Sequence, residues 1–469
     1  MRPLLHTLRE RLHLLYSAAL MASLSLLYSD YLGPLADVSY VLSSNLASAT
    51  ETGPPRASDV DNVVVGIAPL RHSQRYDTVS PLPRCQLLQD LQRLYAAQPA
   101  RLAIDLDLSP TPLGQSQRDG GQTAQCEQAI HALLTEQAQR TVLITPFPTP
   151  DATLQARKHH WMQAMCQAGV TFAEPFLHQG VSGFVYKYEP SAASLAEALR
   201  TAPSRSSPVC EQLFRLAPTE TAEANGYLTG DWTQPWPLRN LGAAHPMPIN
   251  YRAAQAHNLR MDWGEEEPDL SPLRDKPVIF GARYGTDDLF ETPVGARYGI
   301  DVHAAILATL DHPIRHSSNG EGWLADIVIG LLLGGLIAAC WQRYFFAARQ
   351  GWGFAYVRLW ITGLLFVAIL LAVFWVAQVM LERFGVWMSP IPVAAGMFLD
   401  FFVTGSVQTA LSRGRPAKPR FRHPSGRPCR WLDRLDVALI QTDTHPRRAV
   451  AWLLCNPLSV CIPLALLRF

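Results

Sequence analysis

The chain has 469 residues, a formal net charge of +1, 48% apolar residues and only 17% charged ones. Soluble domains usually carry about 25% charged residues, so the balance excludes a disordered chain and a highly charged nucleic-acid binder. It suits a protein that is part membrane and part globular, and eight cysteines are too few for a small disulfide scaffold.

Residues 12–32 (LHLLYSAALMASLSLLYSDYL) form the first element, an apolar run preceded by a stub, 1–11, with Arg2, Arg9 and Arg11. The run has the length of one membrane-spanning helix. A cleavable signal peptide is the rival reading, but SDYLGPL is a poor cleavage context and an uncleaved signal anchor is expected. Residues 33–322 then hold enough chain for a packed core.

Within that region, strands are expected at 62–68 (NVVVGIA), 101–106 (RLAIDL), 140–145 (RTVLIT), 180–188 with a turn, 246–252 (PMPINYR) and 277–281 (PVIFG). Helices are expected at 83–97, where Leu87, Leu88, Leu91 and Leu94 make a stripe, and at 126–134, 159–166, 191–200 and 299–310. The stretch 201–244 is rich in Pro, Thr, Gly and Asn and reads as loops. Strand–helix alternation predicts an α/β domain, a layered mixed sheet with helices.

Three further apolar runs follow at 323–341, 359–381 and 386–407, which with the first predict a four-helix transmembrane bundle. Lys and Arg placement sets the orientation. Arg343, Arg349 and Arg358 lie between the second and third spans. The stretch 408–448 holds ten basic residues against Asp433, Asp436 and Asp443, or +7, leaving −6 for the rest of the +1 chain. All basic segments share the cytoplasmic side if 33–322 lies outside. The last run, 449–467, is broken by Pro457 and Pro463 and is expected to lie on or re-enter the membrane within the basic tail 408–469.

The order of segments resembles the type-two CHASE family, the extracellular sensory domains associated with cyclases and histidine kinases. The resemblance runs through YLGPLADVSYVL, VVVGIAP, SPLPRCQLLQDLQRL, ARLAIDLDLSP and INYR. It is most specific in KPVIFGARYGTDDLFETPVGARYGIDVHAAILATL. It implies an extracytoplasmic sensory domain followed by three spans. The chain departs from the family pattern in two places. The first strand ends in Ala68-Pro69 rather than acids, and no kinase or cyclase is expected in the residues after the last span. The resemblance, with the arginine-rich composition, also implies a bacterial inner membrane, with both termini cytoplasmic and the large domain periplasmic.

Candidate site residues follow from the residue types. Asp105 and Asp107, at i and i+2 near a strand end, would share one sheet face where open α/β sheets border ligands. Capping of the Ser109-Pro110 turn and pairing with an arginine is the structural alternative. Arg84, opening a helix, can hold Asp105 or an anion, and Arg252 offers a similar fork. Asp287 and Asp288 sit among Gly281, Gly285, Gly295 and Gly299, where unusual dihedrals or helix capping are expected. His303 stands alone on a helix, and His159-His160 lacks metal-ligand spacing, so neither metal nor cofactor is expected.

No C-x-x-C, H-E-x-x-H, G-x-S-x-G or Walker-type loop occurs, and no catalytic residue is assigned. Cys85, Cys126, Cys166 and Cys210 allow three pairings, and nearest-neighbour pairing, Cys85–Cys126 and Cys166–Cys210, is preferred over free thiols. Asp400 in the fourth span has Thr362 and Arg358 as candidate intramembrane partners.

Function is therefore expected to be sensing: the exported domain binds a ligand or envelope partner and signals through the spans to a separate protein. A non-switching assembly subunit of a cell-envelope complex is the alternative, and an envelope enzyme a third class. The expected partners are a membrane or envelope protein, the lipid bilayer and a second copy of the chain, with nucleic acid not expected.

Overall fold

A computed structural model describes residues 39–44, 59–110, 122–147, 149–175, 183–190, 193–201, 207–215, 247–264, 268–316 and 354–387, with isolated positions besides. It divides into two compact units: residues 41–314, and the remainder of the chain at both ends.

The first unit is built on six strands: β1 (Asn62–Ile67), β2 (Arg101–Asp105), β3 (Thr141–Ile144), β4 (Thr171–Ala173), β7 (Asn258–Trp263) and β8 (Pro277–Ala282). Their order across the sheet is β4-β3-β2-β8-β1-β7, and every pairing is parallel. This corrects the expectation of a mixed main sheet. The central strands are buried along their length, as parallel strands covered on both faces must be. Antiparallel pairing is confined to two small ribbons, β5 (Lys187–Tyr188) with β6 (Met247–Pro248), and β9 (Leu289–Phe290) with β10 (Arg297–Tyr298).

Alternation along the strands feeds two cores. Val63, Val65, Leu102, Ile104, Leu143, Val278 and Phe280 join one core with α2 (Arg84–Ala96), α3 (Thr123–Glu136), α4 (Ala152–Gln167) and α6 (Pro208–Arg215). Val64, Ala103, Val142 and Ile279 join the other with α5 (Leu195–Arg200), α7 (Tyr251–His257) and α8 (Gly299–Asp311). The short α1 (Pro69–Arg75) follows β1 directly. Local capping starts several helices: Asp151 accepts from the amides of Thr153 and Leu154, Ser194 from Glu197 and Asn250 from Ala253. From Gly299 to Thr309 every residue of α8 is buried, because it packs on the sheet and on α5 and α7 together.

Some expected elements differ. The strand expected at 246–252 shrinks to two residues before Asn250 caps α7. Of the strand expected at 180–188 only Lys187–Tyr188 is paired, and 180–182 lie outside the described residues. The stretch expected as loops contains α6, joined to α4 by the Cys166–Cys210 disulfide, and a second disulfide, Cys85–Cys126, joins α2 to α3.

In the second unit, α9 (Phe354–Phe384) contains an apolar stretch of 25 residues, Trp360–Phe384, with mean hydropathy 2.7. At 1.5 Å per residue it extends about 37 Å, more than a bilayer's hydrocarbon core. It is the one helix among the described residues long and apolar enough to cross a membrane. The spans expected at 12–32, 323–341 and 386–407, the segment 449–467 and Asp400 lie wholly or mostly outside the described residues. β11 (Arg315–His316) pairs in parallel with β12 (Val386–Trp387), and Trp387 meets Tyr40 edge-on.

Candidate functional site

At the carboxyl end of the sheet, strand register lines up one row of residues across four strands: Asp105 on β2, Gly281 on β8, Gly66 on β1 and Asp262 on β7. Alternation turns this row toward α8. The two central positions lack side chains because other groups occupy the space. A Cβ on Gly66 would collide with the Arg283 side chain, and one on Gly281 would stand 3.0 Å from Asp105 Cβ and 3.3 Å from Ile300. Isolated glycines inside strands mark such close approaches.

Arg283 leaves the end of β8, crosses Gly66 and forks between two acids. It donates to Asp262, and its Nη2 donates to Asp301 Oδ1 at 2.6 Å, with Arg260 Nε 3.5 Å from the same oxygen. Arg283 and Asp301 are both buried, so this pair fixes the first turn of α8 to the sheet end.

Beside it stands a second group of different character. Asp105 is half-buried and has no hydrogen bond or ion pair among the described residues. Burial raises its carboxyl to about 7. Asp288 comes from the loop before α8, where its Oδ2 accepts from the Gly299 amide at 3.2 Å. Its carboxyl is also raised to about 7, by burial first and then by the charge of Asp105, against His303 and the Gly299 N–H. His303, buried on α8, is lowered to about 4 by burial, and its Nε2 meets the Pro175 carbonyl at 3.1 Å. The imidazole donates Nε2–H to that carbonyl. Two carboxyls raised toward neutrality by burial, one of them without a hydrogen-bond donor among the described residues, thus stand together at the start of α8.

The other expected residues sit elsewhere or carry structural duties. Asp107 does not share the face of Asp105, because β2 ends at Asp105. Asp107 accepts from the amides of Ser109 at 2.9 Å and Phe147 at 3.1 Å, and pairs with Lys158 at 3.0 Å, a lysine in place of the expected arginine. Arg84 is buried; it donates to the Ser109 carbonyl at 2.7 Å and lies 3.6 Å from Glu127. Together they hold the turn after β2.

Arg252 is exposed in the first turn of α7. The neighbouring Asn250 bonds Thr309 and His312, which places the segment at the far end of α8. Asp287 is exposed. Of the four glycines, Gly285 and Gly295 adopt positive φ, while Gly299 is required because a Cβ there would strike the Asp288 carboxylate. His159 is buried on α4 beside His160. In α9 the Thr362 hydroxyl donates to the Arg358 carbonyl at 2.8 Å, and Arg358 donates to the Arg343 carbonyl at 3.0 Å.

A further charged cluster was not anticipated. Asp90, fully buried on α2, accepts from Arg71 at 2.7 Å and from Tyr76, with Arg75 at 3.1 Å, while the Arg71 guanidinium lies 4.4 Å above the Trp263 ring. It locks α1 over the end of β1. The Arg-rich sequence PLRHSQR without an apolar stripe was its only signal.

Residues 48–336, more than half of the chain, match the family model described as the CHASE2 domain, and the chain belongs to that family. CHASE2 is an extracellular sensory domain. Neither the curated proteins nor the solved structures contain a match.

Proposed function

We propose that the protein is a membrane-anchored sensor. Residues 33–322 form its extracytoplasmic part, the spans are 12–32, 323–341, 359–381 and 386–407, and both termini are cytoplasmic in a bacterial inner membrane. The domain reads a ligand or envelope partner carrying a cationic or hydrogen-bond-donating group at Asp105 and Asp288. Binding biases α8, from which the chain runs on to the spans, and a separate protein receives the signal. No catalytic step is part of this reading.

The observation that carries it is the donor-less, half-buried Asp105 carboxyl beside Asp288 at the start of α8. The two disulfides support an oxidising compartment for this domain, and α9 supports membrane anchorage. A ligand shifts the bundle only if it binds its conformations with different affinity.

The test uses the full chain in nanodiscs, screened against amines and basic amino acids by thermal shift. The expected hit raises the melting temperature and changes the labelling rate of Cys429 in the tail, and D105N removes both effects. A hit that leaves Cys429 labelling unchanged favours the assembly-subunit reading, and a screen without hits refutes the amine-type ligand.

A further inference from the structure

The opposite, amino end of the same sheet holds a second constellation, formed by residues that lie far apart in the chain. Asp61 immediately precedes β1, His257 is the last residue of α7, and His312 follows the last turn of α8. Asp61 Oδ2 lies 3.0 Å from His257 Nδ1 and 3.1 Å from His312 Nε2, and the three atoms all fall within 4.8 Å of one another. The imidazoles stack with centroids 4.0 Å apart and planes inclined by 18°.

Zn²⁺ binds histidine nitrogen and carboxylate oxygen at about 2.0–2.2 Å in tetrahedral sites, which sets ligand atoms roughly 3.3 Å apart. Two of the three separations are already close to that value. The Asp59 carbonyl, 3.1 Å from His257 Nδ1, is an additional oxygen nearby.

Backbone bonds hold the main chain of the three residues in place without an ion. The Asp61 amide donates to the His257 carbonyl at 2.8 Å, and the His312 amide to the Ala308 carbonyl at 2.8 Å. Asn250 Nδ2 donates to the His312 carbonyl, also at 2.8 Å. The three side chains are nonetheless open to solvent, at 46% for Asp61, 29% for His257 and 40% for His312. An ion can therefore reach the three donor atoms from solvent, and modest side-chain rotation would turn the stacked imidazoles toward it. Two imidazoles with one carboxylate suit borderline transition metals and not Ca²⁺ or Mg²⁺, which take oxygen ligands.

We propose that Asp61, His257 and His312 form a binding site for one divalent transition-metal ion of the Zn²⁺ class. The ion would join the entry to β1, the end of α7 and the end of α8. This site is independent of the Asp105–Asp288 site, and neither proposal rests on the other.

The test uses the full chain, purified without a histidine tag, stripped with chelator and dialysed against Zn²⁺. Bound metal is counted by mass spectrometry, and Co²⁺ replacement is read in the visible spectrum. Because cysteines elsewhere also take up zinc, the measured quantity is the difference between wild type and an H257Q/H312Q variant. One additional ion in the wild type is expected, with Co²⁺ bands of nitrogen–oxygen ligation that the variant lacks. H312Q alone should weaken binding at least tenfold while its metal-free melting curve stays that of the wild type. Equal metal content in wild type and double variant, when both melt cooperatively, would overturn the proposal. It would leave the three residues as two imidazoles bridged by a carboxylate. D61N provides a second variant should the histidine pair impair folding.

Discussion

The two ends of the parallel sheet carry similar residue types in opposite environments. At the carboxyl end, acids and a histidine are packed against α8, and burial dictates which of them hold protons. At the amino end, one acid and two histidines stand in water, close together and held by the backbone. The difference shows that position relative to the core, not residue type, decides what a side chain does. Substitutions at the carboxyl end should therefore change stability and its pH dependence, and substitutions at the amino end should change ion binding.

The largest expected effect is at Asp90. D90A strands Arg71 without its buried partner and should lower unfolding free energy by about 3–5 kcal/mol in urea titrations. A loss under about 1 kcal/mol would show that the carboxyl end tolerates unpaired charge and would blur the contrast. Removing either disulfide comes next. Sequence separations of 41 and 44 correspond to about 3–4 kcal/mol each on a chain-entropy basis, measurable by comparing C85S/C126S and C166S/C210S with the wild type.

A smaller, pH-dependent effect belongs to Asp105. The folded carboxyl keeps its proton up to about 7, whereas an unfolded one releases it near 3.8. Its contribution to stability is full at low pH and is lost as pH rises through that window. D105N should gain on the wild type as pH rises between those limits, by a few kcal/mol at most.

His303 acts in the reverse direction. It stays neutral down to about 4 when folded but accepts a proton near 6.5 when unfolded, so its contribution is lost as pH falls through that range. H303Q should flatten the acid side of the same curve. The smallest effect is expected at the amino end: metal-free H312Q should stay within about 0.5 kcal/mol of the wild type, as exposed substitutions usually do.

Much of this architecture is legible in the residues. VVVGI, RLAID, TVLI and PVIFGA read as strands because burial on both faces fills them with apolar residues. β7 does not, since NLRMDW is an edge strand whose α8-side face carries Arg260 and Asp262, and this polar half masks the period. Without it the sheet order, and so its uniformly parallel sense, had no anchor. Helix α1 lacks an apolar stripe because Arg71 and Asp90, a salt bridge, fill the place of one.

The site was legible in part. Asp105 follows from its place at a strand end, and Asp288 from its place before a helix. Asp262 and Arg283 become relevant only once register brings β1, β7 and β8 side by side, and His303, visible as a lone helical histidine, gains its place only when α8 packs on them. Gly66 and Gly281 were the available clue, each a missing side chain within an apolar strand. The triad of Asp61, His257 and His312 spans 251 positions, and no local spacing rule reaches that far.

The covalent staples lie on one side only. Both cystines tie helices of the layer formed by α2, α3, α4 and α6, and no cysteine occurs in α5, α7 or α8. The unstapled layer packs through alanines, Ala196, Ala198, Ala253, Ala254, Ala304, Ala305 and Ala308, interspersed with larger side chains such as Leu195, Leu199, Ile300 and Leu307. Oxidation thus ties one flank covalently, while the flank bearing α8 is held by packing and by the buried Arg283–Asp301 pair. Reduction of both cystines would therefore remove every covalent cross-link among the described helices while leaving the α8 flank's own contacts intact.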